Sequence, residues 1–361
     1  MNQHPAALLH AEDAPLELEF GEVLPSVEIA YETWGTLAPG RDNAIFILPA
    51  FSAHCHAASS AADPRPGWWE HMVGPGCALD TDRFFVVCAS LLGGCHGTTG
   101  PRSLVPGTDR PYRGSFPVVT IRDMVATHLR LADALGIERI HAAVGSSMGA
   151  MQALEMAVIA PDRIARIAAI SGTAYTRPAT AAIRHLGRKA IMADPAWRNG
   201  DYEDAGPLDG LRLARELGTV FYRSSEEFNE RFDHAPIRRP DLRGVTFDVQ
   251  SYLDHQGRKA TTAFDANSYL LMSMAMDLHD LARGRGSLEE ALTAVRARCL
   301  VGGVPEDRLI PLSEQEQIRR ALEEVGARHA WFSVSSPVGH DAFLVETEPF
   351  TRALKPFLER A

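Results

Sequence analysis

The sequence predicts an α/β fold: a mostly parallel sheet with helices on both faces and an inserted helical cap. Three observations predict it. Short, wholly apolar runs such as Ala44–Leu48 recur along the chain, as strands buried on both faces require. Stretches with helical spacing separate them. The alternation stops after Gly172 and returns only at Arg298.

In chain order, Met1 to Leu16 is polar and contains proline, without the charged start and apolar run of a secretory signal. Leu16 to Thr36 predicts two strands around a proline turn, with Val27 to Thr33 alternating apolar and polar. Ala44–Leu48 and Phe84–Ala89 predict buried strands. Thr120, with Asp123 three residues on, predicts a capped helix that Gly136 ends. Ile140–Val144 predicts a strand and Met148–Ala160 a helix, stopped by Pro161. Ile164–Ser171, Arg298–Gly303 and His329–Val334 complete the strands. From Ala174 to Ala294 the chain reads as helical and rich in charge, including Arg231 to Arg243, with no βαβ unit. The expected division is a core of residues 1–173 and 295–361 and a cap of residues 174–294. A cap there covers the carboxyl edge of the sheet, where a doubly wound fold binds its ligand.

Composition narrows the function. A chain of 361 residues, 45% hydrophobic and 23% charged, suits a globular enzyme. Its formal charge of −10 argues against sequence-independent binding to nucleic acid or an anionic membrane. No apolar run approaches a membrane span. The 5 cysteines lack metal-site or redox spacing, which fits a reducing cytoplasm.

Chemistry enters at Gly145-Ser146-Ser147-Met148-Gly149. It lies between a predicted strand and a predicted helix, the context of the nucleophile elbow in α/β-hydrolase folds. Ser147 would stand above the sheet, with the Met148 amide aimed at a developing oxyanion. Such a serine needs a base, and an acid to orient the base, following it in the order acid then histidine. Asp307 lies just beyond the strand ending at Gly303, and His340 beyond the last strand. Glu306 is the rival acid. The second oxyanion amide should come from the loop after Ala44–Leu48; Pro49 cannot donate, so Phe51 is the candidate. His54-Cys55-His56 lacks further ligands at metal spacing, and no metal is expected. Cys95-His96 are adjacent and rarely would face each other; Gly93, Gly94 and Gly97 mark a tight loop there.

Taken together, these residues resemble the homoserine O-acetyltransferase family of α/β-hydrolase-fold acyltransferases. The segments that carry the resemblance are Ala30–Leu37, Gly67–Trp69, Met72–Gly76, Asp80–Phe84, Leu92–Pro101, Phe116–Met124, Phe264–Leu270 and Gly339–Leu344. The resemblance runs from about residue 16 to 350. It implies a two-step transfer: Ser147, activated by His340, takes the acyl group from an acyl-CoA, and an amino-acid hydroxyl then removes it. Acetyl-CoA, or succinyl-CoA, would be co-substrate rather than bound cofactor. The acceptor would be homoserine, in methionine biosynthesis, or serine. By the same resemblance Arg188 would hold the substrate carboxylate and Asp341 its ammonium, and the protein would be a homodimer through its cap helices.

The chain departs from the family pattern at Pro49 and Ala53 in the oxyanion loop and at Ser146 and Ala150 in the elbow. Extra atoms there would tighten the pocket and favour serine. Leu309 stands where succinyl-using relatives place an arginine, which favours acetyl, while Arg308 beside it keeps succinyl open. An esterase or thioesterase on the same fold is the alternative class; it would have no use for Arg188 and Asp341.

Overall fold

The computed structural model describes residues 7–11, 15–203, 206, 208–240, 242 and 244–360. Residues 1–6, 12–14 and 361 of the expected core, and residues 204, 205, 207, 241 and 243 of the expected cap, lie outside these.

Eight strands form one sheet: β1 (Ala7–Ala11), β2 (Val27–Trp34), β3 (Ala44–Leu48), β4 (Phe85–Ala89), β5 (Ala142–Ser146), β6 (Arg166–Ile170), β7 (Arg298–Gly303) and β8 (His329–Ser333). Their order is β1-β2-β4-β3-β5-β6-β7-β8. β2 pairs antiparallel with β1 and β4. Every other pair is parallel. The inner strands alternate sides with period two. On β3, Ala44, Phe46 and Leu48 enter one core layer while Ile45 and Ile47 enter the other; on β6, Ile167 and Ala169 oppose Ala168 and Ile170. Wholly apolar strands follow from that double burial.

The helices are α1 (Ile121–Ala134), α2 (Met148–Ile159), α3 (Pro178–Ala193), α4 (Leu208–Tyr222), α5 (Ser225–Arg231), α6 (Asp248–Ala263), α7 (Ala266–Asp277), α8 (Leu288–Leu292), α9 (Leu312–Glu324), α10 (Ala342–Val345) and α11 (Thr347–Glu359). α1, α2 and α9 send buried side chains into one core layer, and α11 into the other. Thr120 and Asp123 cap α1 reciprocally. On α2 every residue from Met148 to Val158 is buried, so it has no polar face, and its Glu155 is held by Arg122 and Arg285.

Two expectations change. β1 lies within Met1 to Leu16, where the sequence predicted no strand. Leu16 to Thr36 makes β2 and, before Pro25, a separate hairpin of Leu16–Glu17 with Val23–Leu24. Among the described residues between β6 and β7 the named elements are all helical, but α8 packs on α9.

Candidate active site

Ser147 sits between β5 and α2 at φ 56° and ψ −119°. A residue with a side chain occupies that region at a cost of about 1–3 kcal/mol. The flanking glycines make the turn possible. A Cβ on Gly145 would lie 2.1 Å from the Gly149 carbonyl oxygen, and one on Gly149 would lie 2.0 Å from the Leu48 carbonyl oxygen. Both neighbours are backbone and cannot swing aside. Gly149→Ala is therefore expected to cost about 3 kcal/mol or more and to lower Tm by several degrees. A Tm equal to the parent's would show that the Leu48 carbonyl yields.

Three side chains join above this turn. His340 Nε2 lies 2.8 Å from Ser147 Oγ, and His340 Nδ1 lies 2.6 Å from Asp307 Oδ2. The other oxygen, Asp307 Oδ1, accepts from the amides of Leu309 (2.8 Å) and Ile310 (2.9 Å), which fixes the carboxylate. All three residues are buried. Glu306 instead binds the Ser335 hydroxyl and the Ser336 amide. Burial alone would push the His340 pKa down; the charge and hydrogen bond of Asp307, aided by Asp341, outweigh it and raise the pKa above the usual imidazole value. With its Nδ1 proton on Asp307, neutral His340 presents a bare Nε2 to the serine hydroxyl. That row can take the serine proton and return it to a leaving group.

The Met148 amide opens α2, where no carbonyl one turn earlier can accept it. Phe51 follows β3 and lines the cavity before Ser147; its ring stacks on Phe264 and meets Tyr269 edge-on. One side chain of α2 ties that helix to the loop after β3: Gln152 Nε2 donates to Pro49 O (3.0 Å) and to Met148 O (3.3 Å). Its Oε1 faces His128 Nε2 at 2.8 Å, and burial lowers the His128 pKa to about 4, so a neutral ring donates there. Above Ser147 the cavity is roofed by Arg184 of α3, Arg215 and Tyr222 of α4, and Ser273 and Met276 of α7. A second chamber shares Phe51, Ser52, Arg215 and Tyr269 with it and reaches Trp68 and Lys259.

Residues 43–347 match a family model described as alpha/beta hydrolase fold. The chain is 46% identical to a serine O-succinyltransferase of Litchfieldella anticariensis, over 95% of this chain and 96% of the relative. It is 43% identical to a homoserine O-acetyltransferase of Symbiobacterium thermophilum, over 99% and 96%. The crystal structure of homoserine O-acetyltransferase from Bacillus anthracis superposes with TM-score 0.91 at 30% identity, covering 100% of this chain and 99% of that one. The chain belongs to the homoserine O-acetyltransferase family of α/β-hydrolase-fold acyltransferases.

Within this acyltransferase the structure relocates several residues singled out in the sequence. Arg188 is not among those lining the cavity: its Nη1 lies 2.6 Å from Asp277 Oδ2 and 2.7 Å from Ser273 Oγ. Asp341 does line it, with Oδ2 3.3 Å from Arg223 Nε. Leu309 is in the wall, whereas Arg308 places its guanidinium over the Phe221 ring, 5.7 Å from the centroid. Ala53 closes a turn onto the Ala50 carbonyl and does not line the cavity; Ser52 does. The Ala150 methyl faces Gly172, where a Cβ would meet it at 2.4 Å. Ser146 Oγ is buried and has no hydrogen-bond partner among the described residues.

Arg184 and Arg215 are the cavity arginines, and the sequence reading passed over both. The signal for Arg184 was its place one turn before Arg188 on the same helix. His56 is held by Glu32 and the Arg65 carbonyl, and among the described residues no cluster of three or more His, Cys, Asp or Glu could hold a metal. Burial pushes the Cys95 thiol up to about 12, which makes it a poor nucleophile. No helix among the described residues is long and apolar enough to cross a membrane.

Proposed function

We propose that the enzyme moves an acyl group from CoA to the side-chain hydroxyl of a small amino acid, through an ester on Ser147. The Ser147–His340–Asp307 row under a polar roof is the observation that carries this reading. Ser147 Oγ attacks the thioester carbonyl while His340 takes its proton. The amides of Phe51 and Met148 meet the oxyanion, the C–S bond breaks, and His340 returns the proton to the CoA sulfur. The acceptor hydroxyl then attacks the ester, His340 takes its proton, and Ser147 is restored.

Arg215 replaces Arg188 as the residue for the substrate carboxylate. It lines the cavity and stacks on Tyr222, and among the described residues it meets no carboxylate at ion-pair distance. Asp341, across Tyr222, takes the ammonium. Homoserine and serine both fit that pair of charges, and the family's named relatives use one or the other. Helices α3 to α7 act as the lid that keeps water from the ester. A homodimer through these helices remains part of the reading, since Leu186 of α3 and Leu213 of α4 stand exposed.

The test is CoA release by the purified protein, crossing acetyl-CoA and succinyl-CoA with homoserine, serine and no acceptor. Turnover that depends on one amino acid is the expected result. Release indifferent to every acceptor would make the protein a thioesterase and end this reading.

A further inference from the structure

We infer that the amino edge of the sheet, opposite the edge that carries Ser147, holds a binding site for the diphosphate or triphosphate group of a small molecule. Arg139, Arg166, Arg298 and Arg328 build it. The site is separate from the catalytic cavity and does not depend on the acyl-transfer reading.

Four strands lie side by side in the order β5-β6-β7-β8, and each has an arginine at or shortly before its amino end: Arg139, Arg166, Arg298 and Arg328. With Arg296 these residues line one open cavity of about 430 Å³, in which Asp162 is the only carboxylate among the described residues. Arg166 and Arg298 are register partners on β6 and β7. Neighbouring strands run about 4.8 Å apart. Both side chains fall on the face of the sheet that α11 covers, with Ala168, Ile170 and Leu300. Like charges set directly opposite each other on a sheet destabilise it. They gather here in a chain whose formal charge is −10.

The protein leaves these charges unanswered. Asp162 pairs with Arg296, but both side chains stand largely in solvent, so the pair holds little. Among the described residues Arg139, Arg166, Arg298 and Arg328 meet no carboxylate at ion-pair distance. Arg163, next to Asp162 but outside the lining, is treated differently: its Nη2 lies 2.7 Å from Asp133 Oδ1 and donates to the Ile137 carbonyl. Two of the four are held in place without being neutralised. Arg166 Nη2 donates to the Arg360 carbonyl, while its Nε is buried and has no hydrogen-bond partner among the described residues. Arg298 lies over the Phe357 ring, 5.6 Å from the centroid. Burial, and then the charges of Arg298 and Arg139, push the Arg166 pKa down. A polyphosphate group relieves that repulsion and offers each guanidinium a pair of oxygens. It also brings several negative charges to one small space, which a single phosphate does not. The rest of the lining, Pro161, Ile164 and Ala165, has no aromatic ring on which a base could stack, so the phosphates themselves are what is recognised. The catalytic cavity lies elsewhere: strands of five or six residues put about 15–20 Å of sheet between the two edges.

The test is calorimetric titration of the full-length enzyme, without magnesium, by inorganic triphosphate, ATP and orthophosphate. Triphosphate is expected to bind about 10²-fold more tightly than orthophosphate and to lose most of that advantage in 1 M salt. Arg166→Gln combined with Arg298→Gln should weaken triphosphate about 10²-fold, and Arg163→Gln less than about twofold. Arg139 and Arg328 are exposed, so Arg139→Gln and Arg328→Gln spare the packing, and each should weaken it about fivefold. ATP carries the same group on a nucleoside: tighter binding of ATP supports the site with a nucleotide as its ligand, and tighter binding of triphosphate supports it with a free polyphosphate. Equal affinity for triphosphate and orthophosphate in the wild type would overturn the inference without any variant. Triphosphate binding that survives the paired substitution but is lost in Arg215→Gln would also overturn it, by placing the anion in the catalytic cavity.

Discussion

Ser147→Ala is expected to lower acyl transfer by about 10⁴-fold or more and to abolish the covalent adduct. The serine oxygen is the only atom in the row that can hold the acyl group; His340 and Asp307 act on its proton. Removing it leaves the cavity and oxyanion amides in place, so donor binding should persist while turnover stops. Intact-protein mass spectrometry after mixing with acyl-CoA reads the adduct directly, and a CoA-release assay reads the rate. An adduct retained in Ser147→Ala would place the nucleophile elsewhere. Cys95 would not be the first candidate, because burial holds its thiol far from the thiolate.

Asp307→Asn is expected to cost about 10⁴-fold in kcat with the fold intact. The carboxylate accepts the Nδ1 proton of His340 at 2.6 Å, leaving Nε2 free to act as base. An asparagine amide can donate to Nδ1 instead, which puts the ring proton on Nε2, facing Ser147, where it blocks proton transfer. The substitution should also move the pH profile. His340 must be neutral to act, so activity falls as pH drops through its pKa, which in the wild type lies above the usual imidazole value. Without the Asp307 charge, burial is offset only by the weaker pull of Asp341, so that pKa falls and the acid limb of kcat/KM should shift to lower pH. A limb that stays in place would mean another group controls it.

The row was legible because each member sits at a chain position that local rules pick out. Ser147 lies between an apolar run and a helix, Asp307 follows the end of a buried strand, and His340 follows the end of the last, half-buried one. The sheet was legible for the same reason, since strands buried on both faces leave wholly apolar runs. β1 was not, because Ala7–Ala11 is set by pairing with Val27–Tyr31 rather than by any alternation of its own. The two-residue strands of the first hairpin are too short to show a period. The arginines failed differently. Arg184 and Arg188 share a face of α3 and divide the two oxygens of Asp277, 93 residues beyond Arg184, yet Arg184 lines the cavity and Arg188 does not. No local pattern encodes that division. Ala53 misled because a turn onto Ala50 takes it away from the space its sequence position suggested.

Gln152 braces the two amides proposed to meet the oxyanion. Phe51 follows β3 and Met148 opens α2 directly after β5, two strands that pair side by side. A single carboxamide spans Pro49 and Met148, and a neutral imidazole of one defined tautomer braces it from behind. The gap between the two amides thus rests on the pairing of β3 with β5 and is braced by one side chain. It can stay constant while the helices overhead drift in sequence to admit a different acyl group or a different acceptor.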